Sequence, residues 1–255
     1  MPLQALIFDV DGTLADTERD GHRVAFNLAF AEAGLDWDWS VDLYADLLSV
    51  TGGKERIRYY LQRYRPEFRV PDDAGLDAFV ADLHARKTRH YLELLESGGI
   101  PLRPGVARLL AEARAAGMRL GIATTTTPEN VEVLLRTALG DEALEWFEVV
   151  AAGDIVPAKK PAPDIYAYAL DAMRLSAEDC LALEDSQHGL AAALGAGCRT
   201  LVTVNEYTRN QDFSGAWVVT EHLGEPDRPC PVLQGDLGGI GWVTVDGLRR
   251  LFEAG

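Results

Sequence analysis

Asp9 and Asp11 stand two residues apart at the end of an apolar run, and three more polar clusters follow similar runs later in the chain. Asp9-Val10-Asp11-Gly12-Thr13 closes the run at residues 3–8. Thr124-Thr125-Thr126-Thr127 closes the run at 120–123. Lys159-Lys160-Pro161 lies beyond the run at 149–152, and Glu184-Asp185-Ser186 closes the run at 181–183. Around one crevice, Asp9, Asp11 and Asp185 would crowd negative charge, which is costly without a compensating cation. Oxygen ligands of this kind favour Mg²⁺. A metal there offsets phosphate charge, so an anionic carboxylate can approach an anionic substrate. Asp9 would then act as a carboxylate nucleophile and form an aspartyl phosphate. The Thr124 hydroxyl, with Thr125 beside it, and the Lys160 ammonium would hold the equatorial phosphate oxygens. Asp11, on the same side of an extended strand, could protonate the leaving oxygen and then deprotonate water. Taken singly, each cluster also suits a structural role. Asp-Gly marks turns, Thr127 and the Glu184-Asp185-Ser186 cluster suit helix caps, and Lys-Pro suits a loop.

Short apolar runs at 3–8, 120–123, 149–152, 181–183, 201–204 and 217–219 read as buried strands. Helical patterns at 104–116, 128–139, 164–174 and 186–194 alternate with them. This alternation predicts an α/β fold, a Rossmann-like doubly wound parallel sheet with helices on both faces. Ligands bind such sheets at the carboxyl ends of the strands, where the four clusters fall. Residues 16–96 read differently, as helices only, over 16–34, 40–48, 53–64 and 72–96. They predict a helical cap domain inserted after the first strand. Residues 1–15 and 97–255 would form the core, with Gly and Pro residues near 12 and 98–104 serving as hinges.

The cap carries its own charge signal. Residues 54–69 hold six basic side chains against Glu55 and Glu67, a local charge of +4 in a chain of −16. At about 100° per residue, Lys54, Arg58 and Arg65 fall within about 40° of one another. Thr51-Gly52-Gly53 precedes them and would open backbone N–H groups towards an anion. A second substrate phosphate on the cap would account for this cluster, and so for a sugar bisphosphate substrate. Glu18 and His22, four residues apart, share a helix face and could contact sugar hydroxyls. Their structural alternatives are a first-turn glutamate and a packed cap histidine.

The net charge of −16 and pI near 4.7 exclude a basic nucleic-acid face and a polybasic membrane anchor. No apolar run approaches the roughly 18 residues needed to span a bilayer. The N-terminus has no basic stretch of the kind that opens a signal peptide. Cys180, Cys198 and Cys230 lack metal spacing and read as buried free thiols, so a cytoplasmic protein is expected.

Residues 8–14, Ile122-Ala123-Thr124, residues 160–164 and Leu183-Glu184-Asp185-Ser186 resemble, in order, the four motifs of haloacid dehalogenase superfamily phosphatases. The resemblance spans the whole chain, helical insert included. It implies Asp9 as nucleophile, Asp11 as general acid and base, and Thr124 and Lys160 as phosphate holders. It also implies Mg²⁺ held by Asp9, the Asp11 carbonyl and Asp185, with Glu184 in or beside the ligand set. Residues 16–23 and 51–57 are similar to the branch of CbbY proteins associated with Rubisco. That likeness implies hydrolysis of xylulose-1,5-bisphosphate, a Rubisco inhibitor, to xylulose-5-phosphate and phosphate. The link to Rubisco would run through the inhibitor and needs no direct contact. A β-phosphoglucomutase-like mutase would share the nucleophile and metal. A phospho-signalling receiver domain is the alternative from another class, but its acceptor lies on a later strand than its acidic pair.

Overall fold

The computed structural model describes residues 2–50, 52–70 and 75–254. Two compact units form, residues 1–16 with 101–255, and residues 17–100.

The larger unit is built on one sheet in the order β3-β2-β1-β4-β5-β6-β7. Its strands are β1 (Ala5–Phe8), β2 (Arg119–Ala123), β3 (Val149–Ala151), β4 (Cys180–Glu184), β5 (Arg199–Thr203), β6 (Val218–Thr220) and β7 (Val232–Gln234). β1 and β4 are buried along their whole length, which is why they read as unbroken apolar runs. Strands β1 to β6 pair in parallel, whereas β7 pairs antiparallel with β6. The parallel sheet expected from the sequence forms, and β7 adds an antiparallel edge strand to it. β7 is three residues long and exposed throughout, so it shows no apolar run, and its place is set by backbone pairing on a sheet edge.

Helices α5 (Val106–Ala115), α6 (Pro128–Leu139), α7 (Asp164–Met173), α8 (Gln187–Gly195) and α9 (Val245–Ala254) flank the strands. Thr127 caps α6 by accepting from the Asn130 N–H, with Pro128 in the first turn. Ser186 caps α8 by accepting from Gly189 N–H. Both caps hold a helix start beside a strand end, where the polar clusters lie.

The smaller unit contains α1 (Arg23–Glu32), α2 (Val41–Leu47), α3 (Gly53–Tyr64) and α4 (Gly75–Glu96). A single helix over 16–34 is not what forms. Thr17–His22 is a π-helical turn that passes into α1. Trp39 is fully buried and packs on Phe26, Phe30, Tyr44 and Tyr60, so aromatic rings fill this interior. The Asn27 amide clamps the Trp39 backbone, accepting from its N–H at 2.8 Å and donating to its carbonyl at 3.1 Å.

His22 stacks on Tyr91 at 4.0 Å, and its Nδ1 lies 2.8 Å from the Lys87 ammonium. An ammonium only donates, so Nδ1 accepts and the ring is neutral, with its proton on Nε2. Burial, then Lys87, Arg56 and His84, hold the His22 pKa well below the usual histidine range. The unfolded chain therefore takes up a proton near pH 6.5 that the folded chain refuses, and His22 weakens the fold as pH falls below that value. Thermal melts of wild type and His22→Asn between pH 7.5 and 5 should show the variant losing less stability on acidification. Parallel curves would refute this account of His22.

Candidate active site

The pairing register sets the site. Phe8 lies between Ile122 of β2 and Leu183 of β4, so the next residue, Asp9, falls between the ends of both neighbours. The Asp9 N–H donates to the Leu183 carbonyl at 3.0 Å, which carries the sheet one step further. Lys160 arrives from the loop between β3 and α7. Its ammonium donates to Asp9 Oδ1 at 2.7 Å, to Glu184 Oε1 at 2.6 Å and to the Ala123 carbonyl at 2.8 Å. Three protons thus meet three acceptors, one from each strand end. Burial alone would depress the lysine, but Asp9 and Glu184 outweigh it and hold its pKa above the ordinary value.

Glu184 is completely buried, and the Tyr166 hydroxyl donates to its Oε1 at 2.6 Å. A Cβ at position 189 would collide with Glu184 Oε2, so the first turn of α8 needs a glycine there. Burial is the largest influence on Glu184, and with the nearby Asp9 it outweighs Lys160, pushing the carboxyl up to about 7. Asp185 is raised well above the carboxylate range by burial, then Asp9 and Glu184. The Asn205 amide donates to Asp185 Oδ2 at 2.7 Å.

Asp9, Glu184 and Asp185 each offer a carboxylate oxygen, all within 4.8 Å of one another. Three buried carboxylates beside one ammonium carry excess negative charge, the condition a divalent cation relieves. Oxygen-only donors suit Mg²⁺, so these residues fit that group.

Thr124 is buried, and its hydroxyl accepts from the Thr126 N–H at 3.3 Å. Thr125 is exposed. Asp11 is half-buried and bridges to Ala15 in the turn after β1. Gly12 has φ 87, and a Cβ there would collide with Asp185 Oδ2 and Asn205 Nδ2. That turn therefore passes tightly over the carboxylates.

The structure treats the cap residues unevenly. Glu18 Oε2 accepts from the Tyr44 hydroxyl at 2.6 Å, and Tyr44 in turn accepts from Arg56 at 2.6 Å. His22, Lys87 and His84 belong to the same charged neighbourhood. Lys54 is exposed and depresses the His84 pKa less than burial and Lys87 do. Gly53 lies against the His84 ring, where a Cβ would come within 2.6 Å, and Gly52 precedes it at φ 97. Thr51 lies outside the described residues. Arg58 and Arg65 do not join this group. Arg58 pairs with Asp77 at 2.8 Å and with Glu55 at 3.7 Å, and Arg65 hydrogen-bonds Tyr60. The buried stripe of α3 is Arg56, Ile57, Tyr60 and Leu61, so the helix turns a different cation inward from those grouped on charge alone.

Arg56 belongs to the basic cluster of residues 54–69 but lies off the Lys54, Arg58 and Arg65 face, and Tyr44, Lys87, Tyr166 and Asn205 join the polar networks without standing in any motif. Arg56 had a signal, standing four residues before Tyr60 on the apolar stripe. The other four carry none, since they meet their partners through the fold.

The model of haloacid dehalogenase-like hydrolases matches residues 3–197. The plasmid-encoded CbbY of Cupriavidus necator is 50% identical over 229 residues, 90% of this chain and 89% of that protein. CbbY of Rhodobacter capsulatus is 51% identical over 234 residues, 91% of this chain and 100% of that protein. Two crystal structures of CbbY from Rhodobacter sphaeroides, one with phosphate and one of a variant with xylulose-(1,5)bisphosphate, each superpose with a TM-score of 0.74. Each is 48% identical, covering 86% of this chain and 94% of that one. Conserved extent and strand-end chemistry agree, and the chain belongs to the haloacid dehalogenase-like hydrolases, as a phosphatase.

Proposed function

We propose that this phosphatase hydrolyses a sugar bisphosphate, xylulose-1,5-bisphosphate above others, by way of a phosphorylated Asp9. The observation that carries the substrate class is Arg56. It is 8% exposed, and its Nε has no hydrogen-bond partner among the described residues. A buried guanidinium left partly unsatisfied is costly, and a phosphate supplies the missing acceptors. Lys87, also buried, adds a second cation to the same unit. The complex of the R. sphaeroides relative with xylulose-(1,5)bisphosphate supports the same choice.

In this reading, the Lys160 ammonium, 2.7 Å from Asp9 Oδ1, aims the carboxylate. Asp9 attacks phosphorus, forming a P–O bond while the bond to the sugar oxygen breaks. Asp11 gives that oxygen a proton, then takes one from the water that attacks the aspartyl phosphate, releasing phosphate and restoring Asp9. Thr124 accepts from Thr126, which leaves its own hydroxyl proton for a phosphate oxygen. Asp9, Asp185 and the Asp11 carbonyl would hold Mg²⁺, which would supply charge neutralisation at the transferring group. Glu184, engaged by Lys160 and Tyr166, would sit beside that set. Hydrolysis of this inhibitor would connect the enzyme to Rubisco through the inhibitor alone.

Asp9→Asn should lower kcat by about 10³-fold or more, and unchanged turnover would remove Asp9 from the chemistry. Phosphate should appear mole for mole with the monophosphate; an isomerised bisphosphate or monophosphate would favour the mutase. Chelation should abolish turnover, and Mg²⁺ at a hundred times its Kd should raise stability by about 2.7 kcal/mol. Melts of Asp185→Asn should lose that Mg²⁺ response. Arg56→Met and Lys87→Met should raise KM for the bisphosphate by about 10–100-fold, the size of a lost charged hydrogen bond, with little change for an aryl phosphate. Equal losses on both substrates would exclude the cap as a phosphate subsite.

A further inference from the structure

Arg103 lies far in sequence from every catalytic cluster, yet its guanidinium joins the segments that carry them. It is 7% exposed. Nη1 donates to the carbonyls of Gly12 and Thr203 and to the Thr203 hydroxyl. Nη2 donates to the carbonyls of Val204 at 2.6 Å and Glu221 at 2.8 Å. Nε stands 3.3 Å from Asp16 Oδ1. The Arg103 N–H also donates to the Leu14 carbonyl at 2.8 Å, and Leu102 bridges to Ala15. Acceptors on the turn after β1, the end of β5 and the end of β6 therefore converge on one planar group. Only arginine has a fork of donors able to serve them together.

Two of these acceptors adjoin the chemistry. Gly12 follows Asp11 directly, and its peptide runs between Arg103 on one side and the Asp185 carboxylate on the other. Val204 precedes Asn205, whose amide donates to Asp185 Oδ2. Fixing the Gly12 carbonyl limits how the Asp11 side chain can turn. Fixing the Val204 carbonyl limits where the Asn205 amide can reach. We propose that Arg103 is a positioning residue for the reaction, locking the turn that carries Asp11 and the Asn205–Asp185 pair into one geometry. It touches neither substrate nor reacting atoms, and this inference rests on the reading of Asp9 and Asp11 as the catalytic pair.

Arg103→Lys and Arg103→Ala test it on the full chain with a sugar bisphosphate and an aryl phosphate. Lysine keeps the charge and stem but cannot span three segments. The expected result is a loss in kcat of about 10–100-fold, the usual cost of removing an outer support, with KM for both substrates within about twofold. The Mg²⁺ concentration giving half-maximal activity should rise, and so should the Mg²⁺ midpoint read from thermal shift. Ethylguanidinium should restore part of the kcat of Arg103→Ala, whereas equal sodium chloride or urea should not. Should the alanine variant fail to fold, the lysine variant carries the test. Folded variants with wild-type kcat and Mg²⁺ response would overturn the proposal. So would a loss that disappears when the assay is run well below the variant's melting temperature, or one lying wholly in KM. A wild type inactive on every phosphate ester would instead refute the catalytic reading of Asp9.

Discussion

The Lys160 ammonium is the interaction on which the site depends. It links Asp9 to Glu184 and to the Ala123 carbonyl, one acceptor from each of three adjacent strand ends. Without it, Asp9, Glu184 and Asp185 would face one another at less than 4.8 Å with no buried ammonium between them. One ammonium cannot balance three carboxylates, and burial, with the neighbouring carboxylates, raises the pKa values of Glu184 and Asp185. The protein therefore holds Asp9 ready while leaving room for further positive charge. Several features otherwise unrelated serve this balance. Tyr166 satisfies the remaining capacity of Glu184 Oε1, Gly189 makes space for its Oε2, and Asn205 holds Asp185.

Such an arrangement is a local conflict inside a fold that is otherwise consistent with itself. Strands β1 and β4 are buried from end to end, and they change to acid within one residue of the sheet edge. Burial raises the energy of each carboxylate, and that stored cost makes a cation welcome. Sites of this kind are where a sequence departs from the rules that stabilise the rest of the molecule.

The core was largely legible because its signals are local. A short apolar run ends, a polar cluster follows, and a capped helix starts, as at Ala123-Thr124 and Thr127-Pro128. The four clusters could be placed at strand ends without knowing any long-range contact. β7 was not legible, since three exposed residues carry no periodic pattern and pair only because β6 offers an edge. In the helical unit of residues 17–100 the local signals are weaker. Grouping cations by helical angle favoured Lys54, Arg58 and Arg65, but burial of α3 is directed by its aromatic and aliphatic stripe. Arg56 rides inward with Tyr60 because Tyr44 and Glu18 wait for it, while Arg58 finds Asp77 at the surface. Arg103 and Asn205 were silent for a similar reason. Each is a single polar residue whose partners come from other loops, and no spacing announces them.

Charge is unevenly divided in this chain, and that division bears on specificity. The protein as a whole is strongly acidic, so an anionic substrate gains nothing from the net field and must be drawn by local groups. In the core unit those groups surround Asp9. In the cap unit they are Arg56 and Lys87, both buried. On the proposed bisphosphate reading, a phosphate at Arg56 would supply the acceptor that its Nε lacks among the described residues. A ligand without that phosphate would be disfavoured there less by a clash than by an unsatisfied buried cation, a penalty that grows with burial. That form of discrimination is strong where a site is built to hydrogen-bond a group and the competitor lacks it.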